Sequence, residues 1–192
     1  AEVPAKAEAE LKAIVPQNMS ATIAPIRSVG VQGDNRSYRS LAILAGDIGT
    51  GELFELAREI PNKISAINRV ALVIGKKNVD TLKVKPLHIN EESTDLLREL
   101  DAIVTAKLAT KKISQTFAVL LPISADGTKY SVAVRAVVTG DFMTARPAVP
   151  GRDFDESTLS DIAGEIYAKF SDKIDLVMYD VTGKPPATVE WE

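Results

Sequence analysis

The chain carries one pattern twice, and this limits its folds more than any other feature. Gly33-Asp34 with Tyr38 returns 92 positions later as Ala125-Asp126 with Tyr130. Leu53, Glu59-Ile60 and Lys63-Ile64-Ser65 return 106 positions later as Leu159, Glu165-Ile166 and Lys169-Phe170-Ser171. Such spacing indicates an internal duplication of roughly 90 residues. The element order expected in each copy is α-β-β-α-β-(β). The expected fold class is therefore α+β: two tandem units, each with helices on one face of an antiparallel sheet. A sheet of this kind leaves an edge and a second face to be covered. The two copies can pair with each other as an internal pseudo-dimer, or the chain can form a homodimer.

Local signals place the elements. Residues 1–20 read as a helical lead-in from an upstream domain, an Ala/Glu/Lys-rich helix over Ala5–Val15 stopped by Pro16. Residues 21–92 are the first copy and residues 93–192 the second. In the first, Ile26–Gln32 and Tyr38–Ala45 are strands joined by the turn residues Gly33-Asp34-Asn35-Arg36. A helical stripe runs from Glu52 to Ile64, with Pro61 expected to kink it. Arg69–Ile74 is a buried strand, and Thr81–Val84 a short one. In the second copy, Leu96, Leu97, Leu100, Ile103, Val104 and Leu108 share one helical face opened by Ser93. Thr116–Ile123 and Tyr130–Thr139 are strands around the turn Ala125-Asp126-Gly127. Asp155 is expected to cap the next helix, with Phe154 and Leu159 as a hydrophobic staple. Asp175–Val181 and Ala187–Trp191 are the last strands.

Composition excludes several chemistries. There is no Cys and a single His, so disulfides, Cys nucleophiles, Cys-ligated metals and multi-His metal sites are ruled out. His88, in Pro86-Leu87-His88-Ile89, has no Ser–Asp context and receives no role. With 23 basic and 26 acidic residues the formal charge is −3, the wrong sign for a dedicated nucleic-acid binder. No apolar run approaches the ~20 residues needed to span a bilayer. The absence of Cys fits the cytoplasm.

Three segments carry candidate chemistry. Gly46-Asp47-Ile48-Gly49 has the spacing of a backbone-clamping GxxG loop, but it holds an acid where phosphate binding needs a cation. Gly33-Asp34-Asn35-Arg36 places an acceptor and a guanidinium on one tight turn, which suits anion recognition, and equally suits a plain hairpin. The terminal segment Lys184-Pro185-Pro186-Ala187-Thr188-Val189-Glu190-Trp191-Glu192 is stiff and ends on a large aromatic. Chain ends are normally frayed. Lys184 and Glu190 could present a cation and a carboxylate to a ligand, or be the solvated charges of a docked strand.

The run Tyr179 to Glu192 closely resembles the C-terminal end of glutamine-hydrolysing GMP synthases. Ser28-Val29-Gly30-Val31-Gln32-Gly33-Asp34-Asn35-Arg36-Ser37-Tyr38, Gln115–Pro122 and Asp141-Phe142-Met143-Thr144 resemble three further signatures of that family, in the same order. Here the Gly-Asp-Asn-Arg turn lies in the first copy and the other three in the second. That arrangement resembles the longer, duplicated C-terminal dimerisation domain typical of eukaryotic enzymes.

The resemblance implies a parent ligase that converts xanthosine monophosphate (XMP) to GMP with ATP, Mg and glutamine-derived ammonia. It also implies upstream partner domains, a Cys-dependent glutaminase and an ATP pyrophosphatase. The chain itself would bind no cofactor. It would complete the XMP site with Asp34, Arg36, Gln115, Lys184 and Glu190, with Arg135, on the side of its strand away from Val132 and Val134, a weaker candidate or equally a structural partner of Asp141. Two other functions remain open: a purely structural dimerisation module and a KH-like nucleic-acid module.

Overall fold

The computed structural model describes residues 3–32 and 35–191. Helix α1 (Ala5–Ile14) buries Ala7 and Leu11. It is followed by β1 (Ser20–Gln32), β2 (Asn35–Ala45), α2 (Thr50–Lys63), β3 (Ile67–Val73) and the short β4 (Lys83–Val84). The second half repeats the order with α3 (Glu91–Lys107), β5 (Gln115–Leu121), the two-residue β6 (Ile123–Ser124) and β7 (Tyr130–Val138). The two-residue β8 (Arg146–Pro147), α4 (Thr158–Phe170) and β9 (Ile174–Asp180) complete it.

The two halves build one sheet. Its strand order is β1-β2-β3-β9-β7-β5, with β8 added beside β7. Each half contributes an antiparallel hairpin and a third strand that pairs in parallel: β2 with β3, and β7 with β9. The helices α2 and α4 make these parallel connections possible, since a crossover needs a dozen or more residues. At the centre β3 meets β9 antiparallel, with Ala71, Leu72 and Val73 opposite Asp180, Tyr179 and Met178. The halves therefore satisfy each other's inner edges.

All four helices pack on one face. Leu56, Ile60, Leu100, Val104, Ile162 and Ile166 share one core with Val70, Val132, Val134 and Val177. Each such side chain contributes about 1.5–3 kcal/mol on burial. Helix α3 starts at a reciprocal cap: Asn90 Oδ1 accepts from the Ser93 amide, and Ser93 Oγ accepts from the Asn90 amide. The other sheet face is covered by two loops. Val79 and Leu82 lie over Ile43, Val73, Ile123 and Met178. The C-terminal segment covers the opposite end.

Four local expectations are corrected. Strand β1 begins at Ser20, not Ile26, and its register shifts between Ile23 and Arg27 around Pro25, which has no N–H for the ladder. Helix α4 begins at Thr158 rather than beside Asp155. Asp155 opens a turn that its carbonyl closes with the Thr158 amide at 3.0 Å. Strand β7 alternates in sequence, yet both faces are buried: on the second, Ala133 joins the cluster of Val79 and Leu82, Ser131 donates to Ile123 O, and Arg135 lies under the C-terminal segment. Finally, Ala187–Trp191 is not a strand. Pro185 and Pro186 lack amides for a ladder, and the carbonyls that follow are taken by buried guanidiniums.

Candidate functional site

Strand directions bring the scattered candidate residues to one end of the sheet. That end holds the end of β1, the starts of β2 and β3, the ends of β9 and β7, and the start of β5. Gln115, half-buried, opens β5 opposite Val137. Arg36 is exposed near the start of β2 and pairs with Val31 across the hairpin. Asp34 lies outside the described residues. Lys184 follows β9, and its backbone bridges Ala145 just past the Asp141–Thr144 segment.

The C-terminal segment is the organising piece. After Asp180 the chain turns, with Thr182 Oγ1 accepting from the Val70 amide at 2.7 Å and donating to Val70 O at 3.0 Å. It then crosses to the first half. The Val31 amide donates to Pro186 O at 2.8 Å, and Gly30 bridges Ala187. Gly30 is required there by space. A Cβ at this position would lie 2.6 Å from both Pro186 O and Asn68 Nδ2, so the tail approaches β1 only over a glycine.

Beneath the tail sits a buried charge cluster that the sequence reading missed. Arg69 on β3, Asp180 on β9 and Arg135 on β7 point to the face away from the helices, and all three are fully buried. Arg69 Nη1 lies 2.6 Å from Asp180 Oδ2, and Arg135 Nη1 lies 3.3 Å from Asp180 Oδ1. One carboxylate thus faces two guanidiniums, and backbone carbonyls with the Ser28 and Thr188 hydroxyls take the remaining donors. Arg69 Nη2 donates to Val29 O, Thr188 O, Thr188 Oγ1 and Glu190 O. Arg135 donates to Thr182 O, Thr188 O and Val189 O. Trp191 closes the cluster. Its ring lies 4.4 Å from the Arg69 guanidinium, and its indole N–H donates to Asp180 Oδ2 at 2.8 Å. Burial and the neighbouring Arg135 push the Arg69 pKa down to about 10 despite Asp180. Burial acts to raise the Asp180 pKa, but Arg135 and Arg69 together hold it below the ordinary carboxylate value.

Arg135 does point away from the Val132 and Val134 side, but it is covered rather than exposed. It lies under the tail, paired with Asp180 rather than with Asp141. Asp141 instead shapes its own loop, with Oδ1 accepting from the Met143 and Thr144 amides. This loop holds Phe142 at φ 57, a left-handed conformation unusual for a bulky residue. It presents Phe142 and Met143 to solvent, 51% and 74% exposed. Lys184 Nζ donates to Phe142 O, which ties the loop to the tail. The Glu190 side chain is exposed while its carbonyl is anchored. The available signal for the missed cluster was a charge inside an apolar strand run: Arg69 before Val70-Ala71-Leu72-Val73, Arg135 between Val134 and Ala136, and Asp180 after Val177-Met178-Tyr179.

Among the described residues, no group of three or more His, Asp or Glu side chains is placed to hold a metal, and no helix is long and apolar enough to cross a membrane.

Residues 102–191 match the family model described as the GMP synthase C terminal domain. The chain is 33% identical over 189 residues to a glutamine-hydrolysing GMP synthase of Dictyostelium discoideum, covering 87% of this chain and 26% of that protein. It is 34% identical over 182 residues to a probable GMP synthase of Leptospira interrogans, covering 91% and 29%. A GMP synthase of Methylococcus capsulatus is 44% identical over a shorter stretch of 115 residues, 54% of this chain and 21% of that protein. The chain thus spans between about a fifth and three tenths of the length of these relatives.

Proposed function

The chain belongs to the GMP synthase family through its C-terminal domain, and from that premise we propose that it completes the XMP site and assembles the catalytic unit of such an enzyme. In this reading the parent protein converts XMP to GMP with ATP and glutamine-derived ammonia. MgATP and the ammonia-producing chemistry belong to domains upstream of this chain. Asp34, Arg36, Gln115, Lys184 and Glu190 contribute contacts to XMP. One observation carries the reading: the described members of this set, drawn from both halves, lie at one end of one sheet, where a tail from the second half bonds to β1 of the first.

The electrostatics are suitable. A nucleotide monophosphate needs cations and hydrogen-bond donors at the phosphate, and polar groups at the sugar and base. Lys184 supplies a point charge on a braced tail, and Arg36 a fork on the adjacent hairpin. The ammonium of Lys184 is held by the Phe142 carbonyl, so its position is set before a ligand arrives. Arg135 is withdrawn from the set of direct contacts, because its donors are directed at tail carbonyls.

The assembly role has its own support. The central β3–β9 pairing is an internal counterpart of a subunit contact, so the proposed oligomeric state of this domain alone is a monomer. Light scattering giving one chain mass supports this, and a dimer mass overturns it.

The test of the XMP reading uses the full-length protein. Lys184→Ala should raise the KM for XMP by about tenfold or more, the value of one lost charged hydrogen bond. An unchanged KM removes Lys184 from the site and favours a purely structural module. The isolated chain should form no GMP from XMP, ATP and ammonia, and product formation would refute the divided site.

A further inference from the structure

We infer that Arg69, Asp180, Arg135 and Trp191 form a positioning device for nucleotide recognition, in which a guanidinium from the first half sets the tail of the second half in register. The inference rests on the XMP reading above and adds residues that touch no substrate themselves.

Between Val181 and Trp191 the tail has no continuous strand pairing and belongs to no helix. Without a continuous ladder its register rests on isolated contacts, the Ala145–Lys184 and Gly30–Ala187 bridges among them. The guanidiniums add four anchor points. Thr182 O is held by Arg135, Thr188 O by both arginines, Val189 O by Arg135 and Glu190 O by Arg69. The indole N–H of Trp191 then returns to Asp180, the carboxylate that orients both guanidiniums. Lys184 lies just after the first anchor, and Glu190 is itself the last. A one-residue slip would break several charge-assisted bonds at once and move both side chains.

The cluster also requires both halves. Arg69 stands on β3, whereas Asp180, Arg135 and the tail belong to the second half. Two guanidiniums share one carboxylate in a fully buried site. An apolar replacement could fill this volume at similar stability, and buried charges are retained in some proteins for the register they impose. Arginine geometry matters as much as charge. Arg69 uses Nη1 for Asp180 and Nη2 for the tail, a division that a lysine ammonium cannot reproduce.

The deciding experiment is steady-state kinetics of the full-length protein with Arg69→Lys, Lys184→Ala and the double variant. Arg69→Lys keeps the charge beside Asp180 and loses the fork. The KM for XMP should rise by about tenfold, the worth of one or two charged hydrogen bonds, while the KM for ATP stays constant. The double variant should lose less than the two single effects combined, because Arg69 acts through tail side chains that include Lys184. Should Arg69→Lys fail to fold, Trp191→Phe keeps a ring on the guanidinium, removes only the indole donor and should raise the same KM. If Lys184→Ala raises the KM for XMP and neither cluster variant does, the positioning inference is overturned and the XMP reading stands. Equal rises in the KM values for XMP and ATP mark general destabilisation and also overturn it. No change in any variant overturns both.

Discussion

The two loops that cover the open sheet face do so in different ways. Residues 75–84, after β3, cover their end with Val79 and Leu82 on an apolar floor of Ile43, Val73, Ile123 and Met178. The tail after β9 covers the other end over Arg69, Arg135 and Asp180. Apolar contact is non-directional and tolerates small shifts. Charged hydrogen bonds do not, since each needs its partner within about 3 Å and in line. The first end is held mainly by apolar burial, with the short β4–β6 pairing and a Val79 amide–Ser20 hydroxyl bond beside it, and the second mainly by charged hydrogen bonds. Of the candidate residues, Arg36, Gln115, Lys184 and Glu190 lie at the second.

Variants that damage one end and spare the other sharpen this contrast. The largest effect should come from Asp180→Ala, which leaves two buried guanidiniums without a counter-charge. Urea unfolding should show a loss of about 3–5 kcal/mol. At the first end, Leu82→Ala should cost about 2–3 kcal/mol, the lower part of the range for a buried leucine. It should leave the KM for XMP of the full-length protein unchanged, and a changed KM would mean that the two ends are not separable.

A third effect is read from pH. Hydrogen bonds from Arg146 hold the Asp153 carboxyl at about 2, below its ordinary 3.8. A depressed carboxylate stabilises the fold above its unfolded pKa and loses that contribution as pH falls through the folded one. Between about pH 4 and pH 2 this site should cost about 2 kcal/mol. Asp153→Asn should flatten that part of the stability curve. The smallest effect belongs to the Lys77–Asp47 pair, where both side chains are more than three-quarters exposed. Lys77→Ala should leave the urea unfolding midpoint indistinguishable from wild type, as expected of an exposed surface pair.

Much of this architecture was legible in the sequence because it depends on local pattern. Leu96, Leu100, Ile103 and Val104 mark α3 by period, and the repeated turn and helix motifs mark the duplication. The parallel pairings of β3 and β9 were not legible, because strand direction within a half depends on where a helix sends the chain. The start of β1 was hidden by Pro25, which reads as a break but is carried as a bulge. Lys184 was singled out at the chain end, and Arg36 on its hairpin. The cluster behind them was missed because Arg69, Asp180 and Arg135 are far apart in sequence. Arg69 and Asp180 alone are separated by 111 positions. An arginine in an apolar strand reads as exposed until something is known to cover it. The covering piece here is the tail itself, whose apparent strand character concealed that its carbonyls serve guanidiniums.

The central claim is that a tail fixed across both halves presents Lys184 and Glu190 to XMP. Equilibrium titration of XMP into the full-length protein, wild type against the Lys184→Ala/Glu190→Gln double variant, tests it most directly. The account predicts affinity weakened by at least about tenfold, equivalent to about 1.4 kcal/mol, with the thermal unfolding midpoint unchanged. Equal affinity in the two proteins would contradict it.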